Sequence, residues 1–350
     1  MKRSIFAGCL AVMLMLSLAT ALLPPSAFAT PQMGGPEEPA GAAEEGGDRD
    51  PQEEAAGGTT AAPQESRPYD SVQKVRVLCG DTVRELTLEA YLTGVVLGEM
   101  PASFELAALE AQAVAARTFT LRQQRSPKHD NADVCSDSSC CQQYTEPERA
   151  KEKLGARYAE YTAKVQDAVN STDGLVITYG GELIDAVYFS CSGGATEAAV
   201  AVWGGDVPYL QSVESPGEEG SSRYQETVRM DPEEFRELIL QSAPQADLSG
   251  EPAGWFGKAA YSDGGGVSVM EIGGVPFRGT ALRSLLSLRS TWFTVAVEDG
   301  EIVFETRGNG HRVGMSQYGA QAMALEGADF REILTHYYTG VSIVRAEDGA

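Results

Sequence analysis

The stretch that decides the fold is LEAYLTGVVLGEMP, residues 88–101. Its large apolar residues recur at helical spacing, at Leu88, Tyr91, Leu92, Val95 and Val96. Thr87 precedes them as a suitable N-cap, and Glu89 suits the positive end of the helix dipole. Because Pro101 pushes the residue before it out of the α region, the helix should end near Gly98.

A second helix is predicted directly after the first. Ser103 is a suitable N-cap for it. Its buried face is expected to hold Leu106, Leu109, Ala113, Ala116 and Phe119. Small alanine side chains here favour close packing of the two helices. Further helices are expected at residues 150–169, 232–240 and 330–338.

Two segments read as β-hairpins. Residues 75–86 alternate in polarity around a Gly80-Asp81 turn, and residues 175–179 and 182–189 flank Gly180-Gly181. Helices and hairpins alternate without a regular βαβ order. The order therefore favours an α+β fold, with a helical core packed with β-hairpins and a small mixed sheet around a substrate groove.

The N-terminus carries an export signal. Lys2 and Arg3 precede residues 4–23, which contain no charged side chain, and Ala27-Phe28-Ala29 is a small-residue cleavage site. The apolar run is also long enough to cross a bilayer. Residues 1–29 are therefore predicted to be a signal peptide or a membrane anchor, and the remaining chain is expected to be exported and extracytoplasmic.

Composition separates a linker from the folded part. Residues 30–72 are rich in Pro, Gly, Ala and Glu, and cannot bury enough apolar surface to offset the entropy of ordering, so they are predicted to be a disordered acidic linker. Residues 73–346 are predicted to form one catalytic domain. The 350-residue chain has a formal net charge of −23, which excludes nucleic-acid binding through clustered cations.

Four potential metal ligands fall in one short segment, at His129, Cys135, Cys140 and Cys141. One imidazole and three thiolates suit tetrahedral zinc, and four protein ligands would make the site structural. Disulfides are the alternative in an exported chain. Five of the six cysteines lie after the leader, an odd number that cannot all pair within the chain. Zinc and disulfides both stay open on the residues alone.

Glu99 is a candidate catalytic acid. It lies at the expected end of the first helix, where the negative end of the dipole raises the pKa of a carboxyl group. A raised pKa is what an acid needs to hold a proton near neutrality. The plain alternative is that Glu99 is one of the 50 acidic residues and is simply solvated.

Two glycine-rich loops offer ligand contacts. The first runs from Tyr188 to Gly194, where backbone can approach a ligand closely. The second, residues 308–320, contains His311, one of three histidines in the chain. The candidates for holding a substrate in these loops are Tyr188, Ser190, Ser192, Gly193, His311, Ser316 and Gln317.

Taken together, these motifs resemble the stage II sporulation protein D family of endospore formers. The resemblance runs from about Val75 to Val344. It rests on the stretch 91–101 with its Glu99-Met100-Pro101, the alanine-rich stretch 107–118, and the segments 190–194, 202–204, 310–320 and 333–338.

This resemblance implies a peptidoglycan lytic transglycosylase used in sporulation and engulfment, with Glu99 as the catalytic acid. Such an enzyme cleaves between N-acetylmuramic acid and N-acetylglucosamine in glycan strands without stem peptides and leaves a 1,6-anhydro end. The chemistry needs no cofactor. The family's metal loop usually has a histidine at the position of Cys140, and a thiolate there keeps four zinc ligands. Asn309 and Arg312 also depart from the family, which usually has an aromatic residue and a glycine there.

The resemblance also implies partners. These are the glycan strands, the stage II sporulation proteins P and M, and the membrane if residues 1–29 are retained. Two other functions compete with the transglycosylase. A non-catalytic glycan-binding module or amidase enhancer would share the glycine-rich loops but would not need Glu99-Met100-Pro101. A Ser-His-Asp hydrolase using His311 lacks both the nucleophile elbow and an acid partner.

Overall fold

The structure is a computed structural model that describes residues 68–348. The expected signal peptide or anchor at residues 1–29 lies outside these residues, as does the expected linker up to residue 67. Within the described part of the chain, no helix combines the length and the apolar character needed to cross a membrane.

Helices and strands are interspersed along the described chain. The helices are α1 Tyr69–Val72, α2 Leu88–Glu99, α3 Leu106–Arg125, α4 Pro147–Leu154, α5 Tyr158–Ser171, α6 Ala199–Trp203, α7 Pro232–Ser242, α8 Gly279–Leu285, α9 Gln317–Leu325 and α10 Phe330–Tyr337. The strands are β1 Lys74–Cys79, β2 Thr82–Thr87, β3 Val134–Cys135, β4 Leu175–Tyr179, β5 Glu182–Leu183, β6 Tyr188–Phe189, β7 Gln225–Met230, β8 Phe256–Tyr261, β9 Val267–Ile272, β10 Val275–Arg278, β11 Trp292–Glu298, β12 Glu301–Arg307, β13 Met315–Ser316 and β14 Ser342–Arg345.

The larger core surrounds helices α2 and α3. Helix α2 starts where predicted, since the Thr87 hydroxyl accepts a hydrogen bond from the Ala90 amide. It ends at Glu99, and Met100 before Pro101 is extended, with φ −115° and ψ 149°. Helix α3 packs against α2, α5, α9 and α10, and its many buried alanines allow these close approaches. The predicted helical core is confirmed.

Three local predictions in this core are wrong. Ser103 does not cap α3, whose N-cap is Glu105 without a side-chain hydrogen bond. Leu106, placed on the buried face, is 42% exposed because it lies in the first turn of the helix. The helix expected at 150–169 is two helices, α4 and α5, joined by a 3₁₀ turn at Gly155–Arg157.

The sheets are small. Strand β1 pairs antiparallel with β2 and parallel with β3, which makes a mixed sheet and confirms the hairpin at 75–86. The second hairpin is shorter than predicted, because only β5 returns beside β4. Strand β6 leaves the hairpin and pairs in parallel with β13 from near the C-terminus. The predicted α+β class is confirmed.

Residues 225–307 build a second, smaller core. Strands β7, β11 and β12 form one sheet, and β8, β9 and β10 form another. With α7 and α8 they enclose Phe235, Phe293 and Phe304, all at most 1% exposed. This part of the chain is an insertion between β6 and β13, the two strands that meet beside the candidate site.

The folded body begins before the expected boundary at residue 73. Asp70 in α1 is buried and pairs with buried Arg117 at 2.5 Å. The Asp173 carboxylate accepts hydrogen bonds from the Tyr69 and Asp70 amides at 2.8 Å each. The expected linker is therefore too long at its C-terminal end, because Tyr69–Val72 has tertiary partners that its composition does not reveal.

Candidate active site and metal centre

Glu99 is held by the loop at residues 141–145, which passes over the end of α2. Two glycines of α2 let this loop approach closely. A Cβ at Gly94 would lie 2.3 Å from the Tyr144 ring, and one at Gly98 would lie 2.7 Å from the Gln143 carbonyl oxygen. At this contact, the Gln143 amide donates a hydrogen bond of 2.7 Å to Glu99 Oε1.

The second carboxylate oxygen faces the C-terminal part of the chain. Gln317 Nε2 lies 3.4 Å from Glu99 Oε2. Burial raises the pKa of Glu99, and the hydrogen bonds from Gln143 and Gln317 oppose that rise. The pKa of Glu99 shifts in the direction expected from the sequence, and burial is the largest cause of the shift.

Glu99 lies where two cavities meet. The histidine-side cavity has a volume of about 500 Å³ and is lined by Glu99, Gln143, Tyr188, Phe189 and His311, among others. The proline-side cavity has about 380 Å³ and is lined by Glu99, Met100, Pro101, Lys153 and Tyr318, among others. Glu99, Ser190, Arg223 and Gln317 line both cavities. A polymer lying in this groove would therefore pass Glu99 in its middle.

The parallel pair of β6 and β13 assembles the floor of the groove. It places the residue after each strand, Ser190 and Gln317, beside Glu99. Tyr188 lines the histidine-side cavity and donates a hydrogen bond of 2.8 Å to Gln142 Oε1. Four of the predicted substrate contacts line this cavity, namely Tyr188, Ser190, His311 and Gln317.

The other three predicted contacts have structural positions outside both cavities. The buried Ser192 hydroxyl donates to Glu218 Oε1 at 2.8 Å. Gly193 has φ +77°, and a Cβ there would lie 2.7 Å from the Gly308 backbone nitrogen. Ser316 caps α9 by accepting a hydrogen bond from the Gly319 amide. Their small or polar character is explained by these contacts.

His311 lines the cavity as a neutral ring. Burial, helped by nearby Arg283, lowers its pKa to about 4. Its Nδ1 accepts a hydrogen bond from the Val313 amide at 3.1 Å. Among the described residues, no carboxylate hydrogen-bonds to His311, so the Ser-His-Asp hydrolase has no triad here.

Arg312, a departure from the family pattern, is fully buried at φ +66°. Its guanidinium donates to the carbonyl oxygens of Ser192 and Gly264 and forms an ion pair with Glu197 at 3.2 Å. Its Cζ lies 4.7 Å from the centre of the Trp292 ring. These contacts join the glycine-rich loops to the inserted region and offset the cost of burying the charge.

Several groove residues were not predicted from the sequence. Gln143 acts through its backbone amide, which no side-chain pattern reveals. Gln142 accepts from Tyr188 and donates toward Tyr91 Oη at 3.3 Å and Thr120 Oγ1 at 3.1 Å. The only signal for Gln142 and Gln143 was their place immediately after Cys140 and Cys141.

The four predicted metal ligands converge. Their ligand atoms all lie within 4.8 Å of one another. His129 Nε2 lies 3.7 Å from Cys140 Sγ and 3.6 Å from Cys141 Sγ, and the two sulfur atoms are 3.9 Å apart. Tetrahedral zinc with ordinary bond lengths would need its ligand atoms to lie roughly 3.6 to 3.8 Å from one another. The cysteines of this cluster are free thiols, so the donor set fits zinc and the disulfide alternative finds no support.

Comparisons with known proteins point to one family. The family model "Stage II sporulation protein" matches residues 80–179. The chain is 36% identical over 269 residues to stage II sporulation protein D of Bacillus amyloliquefaciens, which covers 76% of each protein. It is 37% identical to stage II sporulation protein D of Bacillus subtilis (strain 168), over 76% of this chain and 77% of that protein.

A more distant relative has a different name. The chain is 28% identical to an amidase enhancer of Bacillus subtilis (strain 168), over 72% of this chain and 40% of that protein. The stage II sporulation proteins D match more closely and over most of both chains. This protein therefore belongs to the stage II sporulation protein D family.

Proposed function

We propose that this protein is a lytic transglycosylase of peptidoglycan glycan strands, with Glu99 as its acid and base. The observation that carries the proposal is that Glu99 is the only carboxylate among the described residues that line the two cavities. Hydrolysis of a glycosidic bond ordinarily uses a pair of carboxylates. A single carboxyl with a raised pKa suits a reaction whose nucleophile belongs to the substrate.

In the proposed reaction, protonated Glu99 donates to the oxygen that links N-acetylmuramic acid to N-acetylglucosamine. The bond from that oxygen to the muramic C1 breaks, and an oxocarbenium-like centre develops. The C6 hydroxyl of the same sugar attacks C1, and the Glu99 carboxylate takes up its proton. The products are a free N-acetylglucosamine 4-hydroxyl and a 1,6-anhydro ring, and the acid is regenerated.

Two cations beside Glu99 support a strand without stem peptides as the substrate. Arg223 lines both cavities, and Lys153 lines the proline-side cavity. Among the described residues neither side chain has a carboxylate partner. A muramic acid without its peptide carries a free lactyl carboxylate, which a guanidinium or ammonium group would bind. An amide-linked stem peptide would remove that charge.

We propose Zn²⁺ as the structural ion of His129, Cys135, Cys140 and Cys141. Bound there, it would hold the loop without an open coordination position for catalysis. Gln142 and Gln143 follow directly, so the cluster supports the amide that hydrogen-bonds to Glu99.

The proposed substrate lies outside the cell membrane, so the activity requires export, for which residues 1–29 are the proposed signal peptide or anchor. Stage II sporulation proteins P and M are proposed partners in sporulation and engulfment.

The test is digestion of purified, peptide-free glycan strands with wild type and Glu99→Gln, followed by mass spectrometry. Wild type should release products that end in 1,6-anhydro-N-acetylmuramic acid, and Glu99→Gln should release none. A thermal unfolding curve like that of wild type would show that Glu99→Gln is folded. Full activity in the variant would remove the acid assignment.

The likeness to an amidase enhancer keeps a second candidate, a glycan-binding module without turnover. If this second candidate is right, mass spectrometry should find the strands unchanged after incubation, although the protein binds them tightly. A wild-type protein that binds strands and releases no anhydro ends would favour this candidate.

A further inference from the structure

Trp203 is a large apolar side chain that the fold leaves uncovered. It ends the short helix α6, after which Gly204 turns the chain away with φ +81°. Its side chain is 51% exposed, and Val200 one turn before it is 50% exposed. Packing of the core does not explain this exposure.

Trp203 is joined to the candidate site by a row of rings. Its ring centre lies 5.3 Å from that of His311, and His311 lies 5.6 Å from Phe189. His311 and Phe189 both line the histidine-side cavity next to Glu99. Ring-to-ring contacts therefore connect the wall of that cavity with the exposed ring of Trp203.

A third cavity lies beside α6. It has a volume of about 460 Å³, and its wall includes Val200, Val202 and Gly204. Ser262, Ser268, Thr280 and Thr291 contribute hydroxyl groups to the rest of the wall, which also includes Arg278, Glu197, Val267 and Val269. We refer to it as the hydroxyl-lined cavity.

This mixture of surfaces suits a carbohydrate. A pyranose ring has an apolar face of C–H groups that packs on an aromatic side chain, and its edge carries hydroxyls that exchange hydrogen bonds with Ser, Thr and Arg. An apolar protein segment would cover Arg278 and the hydroxyls of Ser268, Thr280 and Thr291 without giving them hydrogen-bond partners. Helix α6 connects the two sites, since Val200 and Val202 line the hydroxyl-lined cavity and Trp203 contacts His311 of the histidine-side cavity.

We propose that Trp203 is a stacking platform for a sugar ring of the same glycan strand that passes Glu99, and that the hydroxyl-lined cavity receives the sugars beyond it. This subsite rests on the proposed function only in taking a glycan as the ligand. It predicts that the protein grips long strands better than short ones, and that Trp203 is responsible for the difference.

The test measures binding in the Glu99→Gln background, where no turnover is expected. The ligands are a peptide-free tetrasaccharide and long peptide-free strands, and the added change is Trp203→Ala. Affinity for long strands should fall by roughly three- to tenfold, with little change for the tetrasaccharide. Trp203→Tyr should recover most of the loss, since it restores an aromatic face.

Tyr179→Ala is the matched control, because Tyr179 is also exposed, at 40%, and also contacts another ring, that of Tyr209. It should bind both ligands normally. Equal affinity of Trp203→Ala and its parent for long strands would overturn the subsite, as would an equal loss for both ligands. If wild type binds long strands through Trp203 but releases no anhydro ends, the proposed chemistry is wrong and the subsite stands.

Discussion

At the scale of single residues, the main result is the environment of Glu99. Burial raises the pKa of its carboxyl group, while the Gln143 amide and the Gln317 side chain favour the charged form. The acid therefore holds its proton to a higher pH than a solvated glutamate, and still has partners for the carboxylate that forms when the proton leaves.

This balance predicts the effect of Gln317→Met, which keeps much of the volume and removes the amide. Without that hydrogen bond the pKa of Glu99 should rise further, because the charged form loses a partner. The alkaline limb of the kcat/KM profile, where the acid becomes deprotonated, should shift to higher pH. Glycan digestion across a pH series in wild type and variant measures this shift. A limb that stays in place or moves to lower pH would contradict the role given to Gln317.

The lowered pKa of His311 predicts that the folded protein becomes less stable at low pH. Its pKa is lowered to about 4 in the folded state, against about 6.5 in the unfolded chain. Above pH 6.5 the ring is neutral in both states and costs no stability. As the pH falls from 6.5 toward 4, the free energy of unfolding decreases, because the unfolded chain binds the proton more tightly than the folded protein does. At pH 5 the loss should be up to about 2 kcal/mol.

Urea unfolding at pH 7.5 and pH 5 in wild type and His311→Phe would measure this effect. The variant should lose less stability between the two pH values, since its ring cannot take up a proton. Equal losses in both proteins would mean that His311 titrates normally.

At the scale of elements, the loop at residues 129–145 and α2 together fix the position of Glu99. The loop carries Cys140 and Cys141 of the proposed zinc site and, two residues after Cys141, the Gln143 amide that hydrogen-bonds to Glu99. The glycines of α2 permit this contact. The position of the acid therefore depends on order in a segment with little regular secondary structure.

Removal of zinc should for this reason lower both stability and activity. Native protein should contain about one zinc per chain, and a strong chelator should lower the Tm and slow the release of anhydro products. Cys141→Ser should weaken zinc binding in the same way. Cys79→Ser is the control, since Cys79 lies outside the cluster, and it should retain its zinc by elemental analysis. Zinc-free protein with an unchanged Tm would exclude a structural ion.

The elements that were predictable from sequence are the local ones. Helices α2 and α3 and the hairpin of β1 and β2 follow from apolar periodicity, a cap and a turn. Pairing of β6 with β13 joins residues far apart in the chain, and two residues per strand carry no periodic signal. The candidates Glu99 and His311 and the four residues of the proposed zinc site were identified by residue type and family motif. Gln143 was missed because its backbone, rather than its side chain, makes the contact.

At the scale of the whole molecule, the Asp70–Arg117 pair ties the first described element to the centre of the fold. Both side chains are at most 2% exposed. Arg117 also donates to the Val169 and Leu175 carbonyl oxygens. One ion pair thus connects α1 with α3, the end of α5 and the start of β4.

Asp70→Ala should leave Arg117 buried without its counter-charge and cost about 3–5 kcal/mol. Glu298→Ala breaks the ion pair between Glu298 and Arg229, in which both side chains are about half exposed. It should cost no more than about 1 kcal/mol. Urea denaturation of both variants compares the two. A small loss for Asp70→Ala would show that α1 contributes little to the fold.

The parallel contact of β6 with β13 also has a consequence for biosynthesis. Glu99 leaves the ribosome 218 residues before Gln317 and the cavity wall on which Gln317 lies. A chain cut short before β13 would carry the acid without its amide partner or the far side of the groove. On the proposed function, fragments that end before β13 should not cleave glycan strands, and activity should appear only after β13 has been made.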